Sequence, residues 1–393
     1  MSSGESAAAR RAWRAIAAVF LANGLLFSSW VSRIPAIADN LDLGTGMVGL
    51  ALMSLAIGAL IAFPATGRMV QRTSSAQTVT RAAFVMIPAL PLVGLAPHLL
   101  VLLPVLVVFG AANGAMDVSM NSQGVEVERF VRRTVMNSLH GFFSIGAFVG
   151  AAIGALAAWL GLDPAVHFPI MSLIALGIVL WARPQLIPDA PRPASEREPG
   201  KLITLPSRSI LTLGTLAICT SVSEGAMADW SGLYLHDYLD TSGGVAALGF
   251  AVFSVAMLIG RFRGDRAVNR YGPAAVVRAG GTIAAVGLGL AVAINEPWSM
   301  LIGFAVVGLG LSVAYPLVFS AAGNHPTLPP GPAVASVATM GYGGFLAGPP
   351  VLGWLAEFTS LRLVLVLIAG LCALVAVFGS ATRRAVTHNS AAE

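Results

Sequence analysis

RPQLIPDAPRPASEREPGKLITLPSR, residues 183–208, divides this chain. A segment so rich in proline and charge packs no core, so 186–207 reads as a flexible cytoplasmic connection between two halves, 1–185 and 208–393. Outward from it, apolar runs of helix-spanning length recur on both sides. They cover 13–35, 46–66, 77–96, 99–124, 134–160 and 164–182 before it, and 209–235, 244–262, 273–294, 298–322, 332–356 and 361–381 after it. A membrane helix uses about 20 residues, so twelve take about 240 of the 393 and leave about 150 for two tails and eleven short connections. The expectation is an all-α polytopic membrane protein of two six-helix bundles.

Composition points the same way. Charged residues make up 10% of the chain, against about 25% in a soluble domain. Hydrophobic residues reach 56% and mean hydropathy is +0.81, so burial needs a bilayer rather than one core. An ordinary soluble protein is excluded. A pI near 9.8 would suggest a nucleic-acid partner in a soluble chain, but here the basic residues are spread thinly along loop ends and no such partner is expected. Cys219 and Cys372 both lie inside apolar runs, which leaves no disulfide framework or thiolate metal site.

The basic residues encode orientation instead. Placing the N-terminus in the cytoplasm puts 21 of the 23 at cytoplasmic ends, from Arg10, Arg11 and Arg14 through Arg68, Arg72 and Arg261 to Arg383 and Arg384. Only Arg33 and Arg362 fall elsewhere. Basic loops resist translocation, so this bias predicts a cytoplasmic-membrane protein with both termini inside. The first span resembles a signal peptide, but it is too long and eleven spans follow it, so it reads as an uncleaved helix.

The halves look related. At an offset of 200, Ser54 matches Ser254, Gly110 matches Gly310, and His140-Gly141 matches Met340-Gly341. GRMVQRTSS after span 2 and GDRAVNRYG after span 8 align Gln71-Arg72 with Asn269-Arg270 at an offset of 198. Parallel six-helix repeats joined by a long cytoplasmic loop are a transporter plan, with a solute held at mid-membrane between the halves.

Twelve spans, the repeat and the Gly/Arg strings after spans 2 and 8 resemble the major facilitator superfamily over nearly the whole chain. SSWVSRIPAI in span 1, DVSMNSQG in span 4, LHGFFSIG in span 5, SEGAMADW in span 7 and GPPVLGWLAE in span 11 are similar to the YbjJ-like branch, itself similar to fucose-type sugar permeases. The resemblance implies a secondary transporter working by alternating access. It also implies a cytoplasmic loop motif at Gly67, Arg72, Asp265, Arg266 and Arg270. The chain departs from the family pattern in three places. Gln71 and Asn269 stand where the loops usually have an acid, so the cytoplasmic latch is weaker or differently wired. GAFVGAAIG in span 5 lacks the Gly-Pro of drug/proton antiporters. No acid lies between Trp13 and Pro35, where fucose-type permeases place one.

Ionisable groups inside a bilayer cost about 2.5–3.5 kcal/mol each, so each calls for a function or a partner. Glu224 sits near the middle of span 7 among Ser221, Ser223 and Gly225, and is the first candidate for proton coupling. Its alternative role is a carboxylate that bonds hydroxyls and fixes helix packing. Asn113, Asp117 and Asn121 in span 4 recur every fourth residue and share one stripe. That stripe offers donors and acceptors to a polar solute, with Asp117 a second proton site, or else forms a polar seam with a neighbouring helix. Asn137, His140, Gly141 and Ser144 share a face of span 5; His140 is either a relay to Asp117 or a histidine bonded to backbone. Arg33 and Asp229, near the outer ends of spans 1 and 7, are a candidate gate. Alternatively, Arg33 snorkels and Asp229 caps a helix break. Trp30, Trp230, Tyr315, Phe143 and Tyr342 lie on the spans that line the pathway in the resembled family, and their rings suit sugars and amphipathic drugs alike. Tyr315-Pro316 and the Gly/Pro cluster at 341–350 are expected to loosen spans 10 and 11.

No histidine or cysteine lies at metal-ligand spacing from His140. GRFRGDR lacks the Lys-Ser/Thr of a phosphate-binding loop, and no HExxH or catalytic triad is evident. No enzyme activity, metal or cofactor is expected. The expected partners are a small solute, protons and membrane lipids, for a chain that works as a monomer. Three readings follow: a proton-coupled transporter of a small polar solute, a proton-driven exporter of amphipathic compounds, and a transport-inactive sensor. The stripe in span 4 and the missing Gly-Pro favour the first. Abundant Phe and Met suit the second.

Overall fold

A computed structural model describes residues 3–43, 45–189 and 207–385. The segment 190–206, which holds most of the expected flexible connection, lies outside the described residues. So does the tail after 385.

The first half contains α1 (Ser3–Ser32), α2 (Ile34–Asn40), α3 (Thr45–Arg72), α4 (Ser75–Gly94), α5 (Leu99–Val131), α6 (Met136–Trp159) and α7 (Pro164–Ala182). The second contains α8 (Arg208–Leu233), α9 (Gly243–Tyr271), α10 (Pro273–Ile294), α11 (Pro297–Leu311), α12 (Ala314–Gly323), α13 (Pro330–Phe358) and α14 (Leu361–Phe378). Among the described residues ten helical stretches, with α11 and α12 read as one, are long and apolar enough to cross a membrane. Together with α9 and α13, of 29 residues each, they make the twelve spans. Two compact units result. Unit 1 takes Met1–Val131, Leu139–Thr204 and Thr327–Ala335; unit 2 takes Arg132–Ser138, Leu205–Pro326 and Ser336–Glu393.

Helix ends follow local chemistry. Ser74 accepts the Gln77 amide at 3.0 Å and starts α4, and Asp163 accepts the Ala165 amide at 2.7 Å ahead of Pro164 in α7. Gly272, at φ 83°, separates α9 from Pro273, the first residue of α10. Span 10 breaks at Ser312–Val313 because Pro316 has no N–H to offer the Ser312 carbonyl one turn back. The Gly/Pro cluster of span 11 behaves otherwise, since α13 runs unbroken through it.

Inside each unit, helices meet where a side chain is missing. A Cβ on Gly110 of α5 would collide with the Leu55 backbone of α3, and one on Gly308 of α11 would collide with the Phe253 backbone of α9. Both members of the pair shift by 198, the offset of the Gln71/Asn269 strings. The offset of 200 that pairs Gly110 with Gly310 is therefore corrected: Gly310 meets Gly280 of α10 instead. What repeats is the helix crossing, which residue identity alone placed two positions away. In unit 1, Gly146, Gly150 and Gly154 of α6 form a second such seam, against Leu21, Leu25 and Ser32 of α1.

Two expected loops are helical. α3 and α9 continue past their apolar runs to Arg72 and Tyr271, so the strings beginning at Gly67 and Gly264 are the last turns of helices. Polar residues end a hydropathy window without ending a helix. Residues 186–189, expected to be flexible, are docked in unit 1. Gln123 donates to the Ile187 carbonyl at 3.2 Å, and Asp189 accepts the Ser75 amide at 2.7 Å and the Ala76 amide at 3.3 Å.

Candidate functional site

The stripe on α5 is the centre of a polar network in unit 1. Asn121 is fully buried and donates Nδ2 to the Asp117 carbonyl at 2.9 Å and to Asp117 Oδ1 at 3.1 Å. Its Oδ1 faces His140 Nε2 on α6 at 3.0 Å. The His140 ring lies 5.3 Å from the Phe20 ring of α1, and Ser144 donates to the His140 carbonyl at 3.1 Å. Asp117 and His140 are thus joined through Asn121 rather than directly. Asp117 Oδ2 has no hydrogen-bond partner among the described residues and is open to a further donor. Asn113 is buried one turn earlier on the same helix. Asn137, three residues before His140 on α6, is engaged elsewhere: its amide and side chain both donate to Asp265 Oδ1, at 3.1 and 2.9 Å.

In unit 2, Glu224 of α8 faces Arg261 of α9. Arg261 Nη2 stands 3.6 Å from Glu224 Oε2, and Glu224 Oε1 has no hydrogen-bond partner among the described residues. This corrects the placement of Arg261 at a cytoplasmic loop end: it is buried within the bundle beside an acid. Counting basic residues along the chain could not reveal a partner on the preceding helix. The one available signal was that Arg261 falls inside the run 244–262. The neighbouring hydroxyl, Ser223, donates to the Cys219 carbonyl at 2.8 Å rather than to Glu224.

The aromatic candidates divide. Trp30 is buried and lines a small apolar hollow with Ile34, Ile37 and Leu43. Trp230 is half-buried against Gly353 of α13, and its Nε1 has no hydrogen-bond partner among the described residues. Tyr315 packs edge-on to Phe319 at 4.8 Å and approaches Gly341, while Tyr342 follows on α13, half-buried. Phe143 backs onto Gly24 in unit 1.

The two basic residues away from the cytoplasmic ends serve their own units. Arg33 Nη2 donates to the Leu162 carbonyl just after α6, and Arg362 Nη2 donates to the Val292 carbonyl in the last turn of α10. A cation is well placed where helix carbonyls lack partners. Asp229 is exposed on α8, in the other unit from Arg33.

The string residues are arranged differently in the two units. In unit 1, Gly67 packs against Gly331 and Ala335, Arg72 is exposed, and Gln71 is buried. In unit 2, Asp265 Oδ2 accepts the Ser138 amide at 3.0 Å while Oδ1 takes both groups of Asn137, so this acid caps the start of α6. Asn269, one turn on, accepts the Thr134 amide at 3.1 Å. Arg266 is exposed, and the Arg270 guanidinium lies over the Tyr271 ring at 5.2 Å. Unit 1 also has a cleft of about 200 Å³ lined by Gln71, Ser75, Ser122, Glu126, Arg129 and Asp189. None of the expected solute-binding residues lines it. Among the described residues, no group of three or more His, Cys, Asp or Glu could hold a metal ion.

Comparisons with known proteins add three findings. The family model described as Major Facilitator Superfamily matches residues 127–330 and 233–392. An uncharacterized transporter of Sinorhizobium fredii is 36% identical over 367 residues, 93% of this chain and 96% of that one. An uncharacterized MFS-type transporter of Yersinia pestis is 35% identical over 369 residues, 94% of each. The crystal structure of the E. coli fucose:proton symporter matches with a TM-score of 0.73 at 16% identity, over 94% of this chain and 97% of that one, a likeness of fold alone.

Proposed function

This chain belongs to the major facilitator superfamily and is a multi-pass membrane transporter rather than an enzyme, and from that premise we propose that it moves a small polar, sugar-like solute by alternating access, coupled to protons. The observation that supports this reading best is the chain of hydrogen bonds Asp117–Asn121–His140, which joins two helices of unit 1. Polar groups at that depth persist where they bind or relay. Asp117 offers a carboxylate oxygen without a partner among the described residues to a hydroxyl or a proton, Asn121 holds both neighbours in register, and His140 supplies an ionisable ring. Within unit 1, Asn113 and Ser144 extend the polar face toward the solute.

Glu224 is the second proton site in this reading. Its charge is balanced by Arg261 when it is ionised, and protonation releases that pairing. Such a switch gives a two-state protein a differential free energy between its states. The fucose:proton symporter shares the fold, which agrees with a polar solute and proton coupling without identifying either. We place the protein in the cytoplasmic membrane with both termini inside, from the distribution of basic residues.

The test is uptake into proteoliposomes. Glu224→Gln is expected to abolish uptake driven by a proton gradient while leaving counterflow exchange, and Asn121→Ala to weaken solute binding. Normal uptake in both variants would overturn the assignment.

A further inference from the structure

One polar cluster takes no part in this mechanism. It lies in unit 1 at the turn between α6 and α7, at the end of the α1–α6 glycine seam. Arg33 is 3% exposed and His167 is 2% exposed. The guanidinium makes one hydrogen bond, to the Leu162 carbonyl, while Nε and Nη1 have no partner among the described residues. Neither ring nitrogen of His167 has one. The segments that carry the two residues meet. Ser32, next to Arg33 in the chain, and His167 both border the point where Gly154 lacks a side chain, with His167 Cε1 3.6 Å from a Cβ placed there.

Buried donors left unmade cost about 1–3 kcal/mol each, and a buried charge without a counter-charge costs more. Asp163, next to Leu162 in the chain, does not serve. Asp163 uses Oδ1 to cap the Ala165 amide at 2.7 Å and Oδ2 to accept Asn40 Nδ2 at 3.2 Å. Among the described residues no carboxylate lies within 4.0 Å of Arg33. The unmatched atoms are the three N–H donors on Arg33 Nε and Nη1 and a histidine ring that can donate one more. Such a set fits an occupant that only accepts and that carries one negative charge.

We propose that Arg33 and His167 hold a small monovalent anion between α1 and the first turn of α7. The shared chemistry is one negative charge with several lone pairs, supplied by a halide ion or by a carboxylate group. This inference rests on the geometry of unit 1 and is independent of the proton-coupled reading, because its measurement involves no transport.

The experiment is thermal unfolding of the purified protein in detergent at constant ionic strength, exchanging isethionate stepwise for chloride in one arm and for acetate in the other. The expected result is a saturable rise in the unfolding midpoint. Chloride alone would identify a halide site, and acetate acting at lower concentration would identify a carboxylate site. Losing one charge-assisted hydrogen bond corresponds to about a tenfold or greater rise in the half-saturating concentration, expected for Arg33→Gln and in weaker form for His167→Gln. Should Arg33→Gln fail to fold, His167→Gln and the unmodified protein still decide the matter. The same midpoint for the unmodified protein in every anion overturns the proposal, as does a shift that survives unchanged in both variants.

Discussion

Neutralising Glu224 gives a magnitude that follows from the structure. At 3.6 Å and an effective dielectric constant of about 20, opposite unit charges attract by about 5 kcal/mol. Both groups had to leave water to meet. Glu224 also keeps 26% of its side chain exposed, against 10% for Arg261, so desolvation and screening take back more than half. A coupling of about 2 kcal/mol remains. In a double-mutant cycle of Glu224→Gln, Arg261→Met and both together, Glu224→Gln alone should lose about 3 kcal/mol, because the Arg261 charge stays buried without its carboxylate. The double variant should lose about 2 kcal/mol less than the two single losses added together. Unfolding free energies measured by SDS titration in mixed micelles give all four corners. Proton-driven uptake by the same proteins separates structure from mechanism, since the double variant should regain stability without regaining coupling. A coupling below about 0.5 kcal/mol would refute the pairing argument. Coupled uptake restored in the double variant would refute Glu224 as a proton carrier.

Three other consequences follow from packing, capping and charge. Gly110→Ala puts a methyl group into the Leu55 backbone and should cost about 1–3 kcal/mol, read as a lower unfolding midpoint, whereas Gly289→Ala, in open space on α10, should cost nothing measurable. Asp189→Ala removes a carboxylate from the Ser75 and Ala76 amides and should destabilise the start of α4 by about 1 kcal/mol, seen as faster amide exchange at those two residues alone. Burial, with a smaller contribution from Arg384, holds the His325 ring below its ordinary value of 6.5. The folded state therefore binds fewer protons there than the unfolded chain, and stability present above about 6.5 is lost as pH falls below it. His325→Gln should flatten that part of the pH–stability curve, and an unchanged slope would count against it.

Much of the architecture was legible because bilayer burial acts on long runs of residues. Twelve runs and the proline-rich divider at 183–208 need only hydropathy and length. The α5 stripe was legible because Asn113, Asp117 and Asn121 recur once per turn on one helix. Pairings between helices were not. Arg261 looked like a loop residue because its partner lies 37 positions earlier in the chain, on α8. Asp265 was legible as a residue of the loop motif, but its role in accepting the Asn137 and Ser138 amides was not, because those residues lie far earlier in the chain. The docking of residues 186–189 depends on Ser75 and Gln123, both remote in sequence. Trp30 gave no sign of its apolar hollow, since an aromatic residue in a span reads the same whether it faces solute, lipid or protein.

The central claim is that solute movement and proton movement are one process in this protein. The direct measurement is proton flux in proteoliposomes challenged with a panel of sugars and polyols and a panel of cationic amphipathic compounds, alongside Glu224→Gln. The account predicts proton flux evoked by a polar solute and lost in the variant. Flux evoked by the amphipathic compounds alone, or polar-solute transport with no proton movement, would contradict it.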